Sequence, residues 1–197
     1  MKEYEHKLFL AAKYEKWEEV IKLADRFLID MPNNPDVIFL KAEALQNCVK
    51  YEEALKYYEE SITLEQDNYK KAKILMKIAN KFKATGRKSS ARNYANKALG
   101  YQPSLGRAYL LIASLYAESA NQCGDSQFNK RAVYWLAEKT ARKAGKVDTS
   151  LKKIVNQTTN SYGGRAPSKT DIFTEGNEGT TIKFNCWINR SIKVPSL

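Results

Sequence analysis

A single histidine, His6, restricts the acid–base and nucleophilic chemistry open to this chain of 197 residues. A Ser/His or Cys/His nucleophile pair would depend on that one imidazole, so we expect no catalytic residue and interpret His6 as solvated or groove-lining. The three cysteines, Cys48, Cys123 and Cys186, lie far apart and have no histidine at metal-ligand spacing. Neither GxGxxG nor a P-loop motif occurs. The sequence therefore predicts no enzyme, no metal site and no cofactor.

The composition predicts a folded chain without a membrane span. Hydrophobic residues make up 43% of the sequence, which is enough to build a core. No run of about 18 apolar residues occurs, the length that a spanning helix needs. The first residues, MKEYEHKLFLAAKYEKW, mix acids with bases, so we expect no export signal there. A mature chain or a fragment would look the same, so the question of export stays open.

The net charge of +11 is unevenly distributed along the chain. Residues 1–68 hold 9 basic and 15 acidic side chains, residues 69–150 hold 17 and 4, and residues 151–197 hold 7 and 3. This asymmetry favours an acidic partner for the basic half, contact with a polyanion, or head-to-tail self-association. The alternative is that these charges are only the solvated outer faces of helices.

Helical periodicity repeats along the chain with a spacing of 34 residues. The second half of residues 35–68 carries side chains of one helix face at intervals of three and four: Tyr51, Ala54, Leu55, Tyr58, Ser61 and Ile62. The same pattern occurs 34 residues earlier: Trp17, Val20, Ile21, Ala24, Phe27 and Leu28. Such a period predicts stacked units of two helices each.

Small residues recur at fixed places in both helices of these units. In the second helices one such column holds Val20, Ala54, Ala91 and Ala137, and another holds Phe27, Ser61, Ala98 and Ala144. In the first helices the small column holds Leu8, Ala42, Ala79 and Ala113. This pattern resembles the tetratricopeptide repeat (TPR), in which small residues let two helices approach closely. Leu8 and Val20 are larger than that motif prefers.

The resemblance covers about three quarters of the chain and implies an all-α, TPR-like helical solenoid of about four helix pairs. We expect the repeats at residues 1–34, 35–68, 69–105 and 106–149. The second-helix column has spacings of 34, 37 and 46 residues. The extra residues predict a lengthened first helix near residues 69–71 and a protruding loop between Tyr116 and Tyr134.

The C-terminal segment departs from the repeat pattern. We expect a capping helix at residues 150–161, because the last repeat would otherwise expose its stacking surface. Residues 162–197 are interpreted as a linker followed by a small β-hairpin that docks on the last helices. The hairpin would turn at Asn189 and Arg190 and carry one inward face: Ile182, Phe184, Cys186 and Ile188. This tail is similar to the ends of TPR proteins of the Bacteroidota, which implies the cell envelope but no known activity.

Cys123, in the predicted loop, and Cys186, on the predicted hairpin, are candidates for a disulfide. Closing a loop of about 63 residues would contribute roughly 4 kcal/mol in the chain-entropy model. The alternative is a pair of buried free thiols. A bridge would indicate an oxidising compartment such as a periplasm, whereas free thiols would be consistent with the cytoplasm. Cys48 is interpreted as a structural thiol.

The resemblance implies that side chains of the first helices line a concave groove that binds a partner. These candidate contact residues are Phe9, Lys13, Phe39, Glu43, Lys73, Met76, Lys77, Asn80, Arg107, Leu110 and Ser114. Their mixture of apolar and basic types suits a protein or peptide with hydrophobic and acidic side chains. There are two alternatives. The chain's own tail could fill the groove, or these residues could pack within the fold without binding a partner. Some TPR domains clamp the C-terminal carboxylate of a partner with five polar or basic residues. Such a clamp is not expected here, because three of the five corresponding positions hold Glu5, Phe9 and Leu40, none of which is basic.

We therefore expect a noncatalytic scaffold that binds another protein, with no small-molecule substrate. The competing hypothesis is binding of a polyanion, either nucleic acid or acidic glycan, by the basic residues 69–150. Against it, these lysines and arginines fall around the helices and lack interleaved aromatic residues for stacking on bases.

Overall fold

The computed structural model describes residues 2–197, with side chains described from residue 4 onward. The α-helices of this range are α1 (Lys2–Lys13), α2 (Trp17–Asp30), α3 (Pro35–Asn47), α4 (Tyr51–Leu64), α5 (Asn68–Ala84), α6 (Lys88–Tyr101), α7 (Gly106–Ala117), α8 (Gln127–Val147), α9 (Lys152–Gly163) and α10 (Lys169–Glu175). Two strands follow, β1 (Thr181–Phe184) and β2 (Arg190–Lys193). The predicted fold class, consecutive helices with a small C-terminal hairpin, is confirmed.

The chain divides into two compact units, Met1–Ile78 and Ala79–Leu197, and the division falls within α5. The first unit contains α1 to α4 and most of α5. The second contains the end of α5, α6 to α10 and the hairpin. In the described part of the chain, no helix is both long enough and apolar enough to cross a membrane.

The turns inside the first three helix pairs share one backbone conformation. Glu15, Val49 and Gly86 each have a positive φ, of 57°, 67° and 74°. The amide of the next residue bonds back to a carbonyl five residues earlier in each turn, at 3.0, 2.9 and 2.8 Å. This pattern is the Schellman motif, which satisfies the last carbonyls of a helix and prefers glycine at the left-handed position. Two of the three turns hold another residue there.

The first unit has a core built around the small and medium side chains of α1 to α3. Its cluster consists of Leu8, Ala11, Val20, Ala24, Phe27, Val37 and Ala44. Leu8 and Val20 are completely buried, so the first helix pair accommodates residues larger than the repeat motif prefers. The burial of such side chains contributes about 1.5–3 kcal/mol each and holds the pair together.

In the second unit, the short segment between α8 and α9 packs closely against the start of α7. A Cβ atom added at Gly106 would lie 2.7 Å from the Leu151 Cδ1 atom and 2.8 Å from the Asp148 Cβ atom. Leu151 and Val155 form a cluster with Ala144 of α8. The terminal helix therefore covers the last helix pair, as a cap of a repeat array must.

The segment between α7 and α8 does not protrude as the sequence predicted, because part of it is buried against the helices. Ser119 is completely buried, and Ala120 and Cys123 are 4% and 5% exposed. A Cβ atom at Gly124 would lie 2.3 Å from the Lys130 amide nitrogen, so only glycine fits this close approach to α8. The absence of a side chain at Gly124 lets this segment lie directly against the backbone of α8.

Within the second unit, the hairpin is held on the helices by contacts that include a disulfide and one aromatic residue. Cys123 and Cys186 are bonded, with their Cα atoms 5.3 Å apart. The Trp187 indole N–H donates to Ser119 Oγ at 3.1 Å. Arg92 lies over the Trp187 ring at 5.2 Å and donates to the Ile188 carbonyl at 2.5 Å. These contacts join the tail to α6 and to the segment after α7.

Two details of the tail differ from the sequence-based expectation. The strands pair antiparallel, with Ile182 opposite Ile192 and Phe184 opposite Arg190. The turn therefore spans residues 185–189 and does not begin at Asn189. The expected linker also contains α10, which begins with a capping box between Ser168 and Asp171.

Candidate functional site

A cavity of 230 Å³ lies in the first unit, between α3, the end of α4 and α5. Its lining consists of Pro35, Asp36, Phe39, Ser61, Glu65, Lys70, Lys73, Ile74 and Lys77. Drug-sized ligands occupy pockets of about 300–1,000 Å³. The cavity is therefore smaller than a typical pocket for a drug-sized ligand and has room for one large side chain.

The loop before α5 positions the cationic wall of the cavity. Asp67 Oδ1 accepts hydrogen bonds from the amides of Tyr69 at 2.7 Å and Lys70 at 3.3 Å, so its carboxylate caps the start of the helix. Residues 70, 73, 74 and 77 follow at intervals of three and four. That spacing places their side chains on one helix face.

The floor of the cavity is apolar. Ile74 is 6% exposed, and the half-buried Phe39 ring lies 5.7 Å from the Tyr58 ring. The Ser61 hydroxyl donates to the Pro35 carbonyl at 2.9 Å, so it is already satisfied within the chain. A ligand group that reaches this floor meets mainly hydrocarbon.

Lys70 is neutralised by carboxylates of its own chain. Its Nζ atom lies 3.5 Å from Asp36 Oδ1 and 3.4 Å from Glu65 Oε2. Attraction to Asp36, and then to Glu65, raises the pKa of Lys70. Burial alone would raise the pKa of Glu65, but amide hydrogen bonds from Asp67 and Gln66, together with Lys70, lower it. Both groups therefore carry their charges at neutral pH.

Lys77 is also compensated, whereas Lys73 is not. Lys77 forms an ion pair with Glu43, and its Nζ atom lies 4.6 Å from the centre of the Phe39 ring. Lys73 Nζ lies 5.5 Å from the centre of the Tyr69 ring. In the described chain, none of the ion pairs within 4.0 Å includes Lys73. The cavity thus presents, at its exposed rim, one ammonium group that has no carboxylate of the described chain within 4.0 Å.

The structure brings together four of the eleven candidate contact residues from the sequence. Phe39, Lys73 and Lys77 line the cavity, and Glu43 holds Lys77. Phe9 and Lys13 are exposed on α1 and do not line it, and Met76 is half-buried on α5 beside it. The candidate set is therefore divided between a cavity and scattered surface positions.

The remaining four candidates belong to the second unit, where two have structural partners. Leu110 packs against the cluster of α8 and α9, so it contributes to the core. Ser114 Oγ accepts from Lys83 Nζ at 2.7 Å and donates to the Leu111 carbonyl at 2.8 Å. Asn80 and Arg107 are exposed.

Sequence reasoning missed six lining residues for two different reasons. Lys70 and Ile74 share the helix face of Lys73 and Lys77, so helical spacing alone could have identified them. The other four come from the first turn of α3 and from the end of α4 with its following loop: Pro35, Asp36, Ser61 and Glu65. No first-helix periodicity identifies these positions.

The second unit carries a strong excess of positive charge. Residues 79–197 contain 20 basic and 7 acidic side chains. Three of those carboxylates are already in ion pairs with the chain's own cations, namely Glu118 with Lys83, Glu138 with Arg142 and Asp171 with Arg131. Exposed lysines continue along α8 and the start of α9: Lys139, Lys143, Lys146, Lys152 and Lys153. Such a surface attracts anions.

The single histidine and the potential metal ligands were the other sequence-based candidates for chemistry. His6 is exposed on α1, far along the chain from either cysteine of the disulfide. No group of three or more His, Cys, Asp or Glu side chains in the described chain is arranged to hold a metal ion.

Two curated relatives resemble part of the chain. Over 106 residues it is 32% identical to the photosystem I assembly protein Ycf3 of Prochlorococcus marinus (strain NATL1A), a match that covers 49% of this chain and 61% of that protein. Over 110 residues it is 30% identical to Ycf3 of Cuscuta gronovii, covering 52% of this chain and 66% of that protein. The chain thus spans less than two thirds of these relatives. No family model matches it.

Solved structures resemble most of the chain. MamA 41-end from Desulfovibrio magneticus RS-1 has a TM-score of 0.51 at 17% identity, over 89% of this chain and 94% of that one. The MamA RS-1 ArsTM double mutant has a TM-score of 0.53 at 16% identity, over 88% and 92%. YrrB, described as a TPR protein with an unusual peptide-binding site, has a TM-score of 0.50 at 11% identity, over 88% and 90%. The fold is TPR-like.

Proposed function

We propose that the chain is a noncatalytic scaffold that binds a protein partner through the first helices of its repeats. The observation that carries this proposal is the cavity of the first unit, with its apolar floor and its exposed ammonium group. Phe39, Lys73 and Lys77 are the proposed contact residues there. The 230 Å³ volume suits a partner side chain better than a small-molecule substrate.

The comparisons support this proposal by analogy. YrrB, whose fold is similar, is a TPR protein with a peptide-binding site. The Ycf3 relatives are described as assembly proteins, and assembly requires contact with other proteins. Because a fold hosts many functions, the proposal rests on the cavity itself.

Selection from a displayed library of random 12-residue peptides tests the proposal. The full chain should enrich a defined set of peptides, and Phe39→Asp should abolish that enrichment because it places a charge in the apolar floor. Ile29→Asp is a matched control, since Ile29 is 72% exposed on α2 and does not line the cavity. The helical circular dichroism of each variant must match that of the unaltered chain.

Two results would contradict the proposal. One is the absence of any enriched peptide with the unaltered chain. The other is enrichment of the same peptides by the Phe39→Asp variant in its folded form.

The excess of basic residues in the second unit supports a second candidate function, binding of an anionic polymer. Heparin and a mixed-sequence single-stranded DNA are suitable probes, measured between about 50 and 200 mM salt, where phosphate-driven binding weakens steeply. Lys139→Glu combined with Lys143→Glu and Lys146→Glu should reduce that binding. If neither polymer binds at the lower salt concentration, this candidate is eliminated.

We also propose that the protein acts in an oxidising compartment, such as the periplasm or cell envelope of a member of the Bacteroidota. The bridge between Cys123 and Cys186 supports this location, because disulfides rarely persist in the cytoplasm. Non-reducing peptide mapping of protein taken directly from its native cells tests the idea. Recovery of both thiols in the free state would refute it.

A further inference from the structure

We infer that the cavity of the first unit recognises one large apolar side chain of the partner together with a neighbouring aspartate or glutamate, which pairs with Lys73. This inference rests on the proposed function and adds the chemistry of the partner segment. It assigns the specificity for acid to a single lysine among the three that line the cavity.

The existing ion pairs around the cavity single out Lys73. Lys70 is held between Asp36 and Glu65 at 3.5 and 3.4 Å. Lys77 is held by Glu43. Each of these lysines already has a carboxylate of its own chain, so a ligand carboxylate would have to displace it. Lys73 has only the Tyr69 ring, at 5.5 Å, and can pair with a partner without breaking an existing ion pair.

The floor of the cavity selects an apolar side chain. Ile74 and Phe39 supply hydrocarbon, and the polar atoms around them are already satisfied. The Ser61 hydroxyl donates to the Pro35 carbonyl, and Glu65 Oε1 accepts from the amides of Gln66 and Asp67 at 2.8 and 3.0 Å. A polar side chain would lose its water without gaining a partner, which is unfavourable.

The anion is a carboxylate rather than a phosphate for two reasons. A phosphate monoester carries close to two negative charges at neutral pH, whereas Lys73 offers a single positive charge. Asp36 and Glu65 also lie in the lining, and they would repel a dianion more strongly than a monoanion.

A change of specificity in the peptide selection tests this inference. With the unaltered chain, enriched peptides should carry Leu, Ile, Met, Phe or Trp within about two residues of Asp or Glu. With Lys73→Glu they should keep the apolar residue but replace the acid by Lys or Arg. Lys22→Glu is the matched control, because Lys22 is exposed on α2 and does not line the cavity. It should leave the preference for acid unchanged.

Affinities for one selected peptide then test the contact itself. Changing its acid to the amide, or Lys73 to Gln, should each weaken binding by up to about fivefold, the size expected for an exposed ion pair. The two changes together should cost no more than either alone, because they remove the same interaction. Replacing the apolar anchor by Ala should weaken binding by about 10- to 100-fold.

The outcomes separate this inference from the proposed function. Peptides that require Phe39 but show no preference for acid would overturn the inference and leave the scaffold function in place. Additive losses in the affinity cycle, or tighter binding when phosphoserine replaces the acid, would overturn it as well. The absence of any enriched peptide would overturn both.

Discussion

The turn between α3 and α4 provides the sharpest test of the physical reasoning. Val49 occupies the left-handed region with a φ of 67°, and its side chain is 67% exposed. A β-branched residue in this conformation is strained, because its Cβ substituents crowd the backbone. The equivalent position between α5 and α6 holds Gly86, with a φ of 74°. We therefore expect Val49→Gly to increase the free energy of unfolding.

The expected gain follows from two opposing effects. Relief of the left-handed conformation contributes about 1–2 kcal/mol, and the greater freedom of glycine in the unfolded chain removes about 0.5–1 kcal/mol. Little buried surface is lost, because the side chain points mainly into solvent. The net gain should be about 1 kcal/mol, which corresponds to an increase in Tm of roughly 2–4 °C for a chain of this size.

Urea denaturation followed by circular dichroism measures this change. The midpoint should rise while the slope stays constant, since a change in slope would indicate an altered unfolded state. Val49→Asn should also gain stability, because asparagine tolerates the left-handed region. Val49→Ala is the control, since it removes the exposed methyl groups but keeps a side chain that disfavours this conformation. A less stable glycine variant, or an alanine variant that gains as much, would refute the reasoning.

Three further predictions concern the second unit. Replacing Cys123 and Cys186 by Ser should lower the free energy of unfolding by about 4 kcal/mol in the chain-entropy model, as measured in urea without reductant. Gly106→Ala should cost about 1–3 kcal/mol through overpacking, because its Cβ atom would lie 2.7 Å from a neighbouring side chain; Gly100→Ala, with nothing within 4 Å, is the control and should not lose stability. Hydrogen bonds from the backbone and then the side chain of Ser168, followed by Arg131, lower the pKa of Asp171 to about 2. The ionised Asp171 side chain therefore stabilises the fold above pH 4, and this stabilisation is lost as the pH falls toward 2. In acid titrations followed by circular dichroism, Asp171→Asn should lack this dependence of stability on pH.

The helix pairs could be predicted from the sequence because their packing depends on the spacing of residues within each helix. Ala42, Ala79 and Ala113 recur in one column of the first helices, and all three are completely buried. Close approach of two helices needs a small side chain at such a point, so the repeat reveals itself in a single sequence. The lining of the cavity could be predicted only in part from the sequence, because Ser61 and Glu65 reach it from the second helix and the loop that follows.

The C-terminal tail was harder to predict, because its structure depends on contacts between residues that are distant in sequence. Alternation correctly indicated that Ile182 and Phe184 share a buried face. It misplaced the turn because Cys186 bonds to Cys123 and Trp187 packs against Arg92, both distant in sequence. Helix α10 was missed although its capping box is visible as Ser168 and Asp171. Its seven residues are too few to show a helical period.

The disulfide also determines how the protein would respond to mechanical tension. Cys123 and Cys186 are 63 positions apart in the sequence, and the residues between them include α8, α9 and α10. At about 3.3–3.6 Å per extended residue, roughly 210–230 Å of chain is shielded from any force applied at the two ends of the polypeptide. Tension transmitted through a tethered partner would pass from one sulfur to the other and leave these helices unstretched. Only reduction of the disulfide would allow this segment of chain to extend under force.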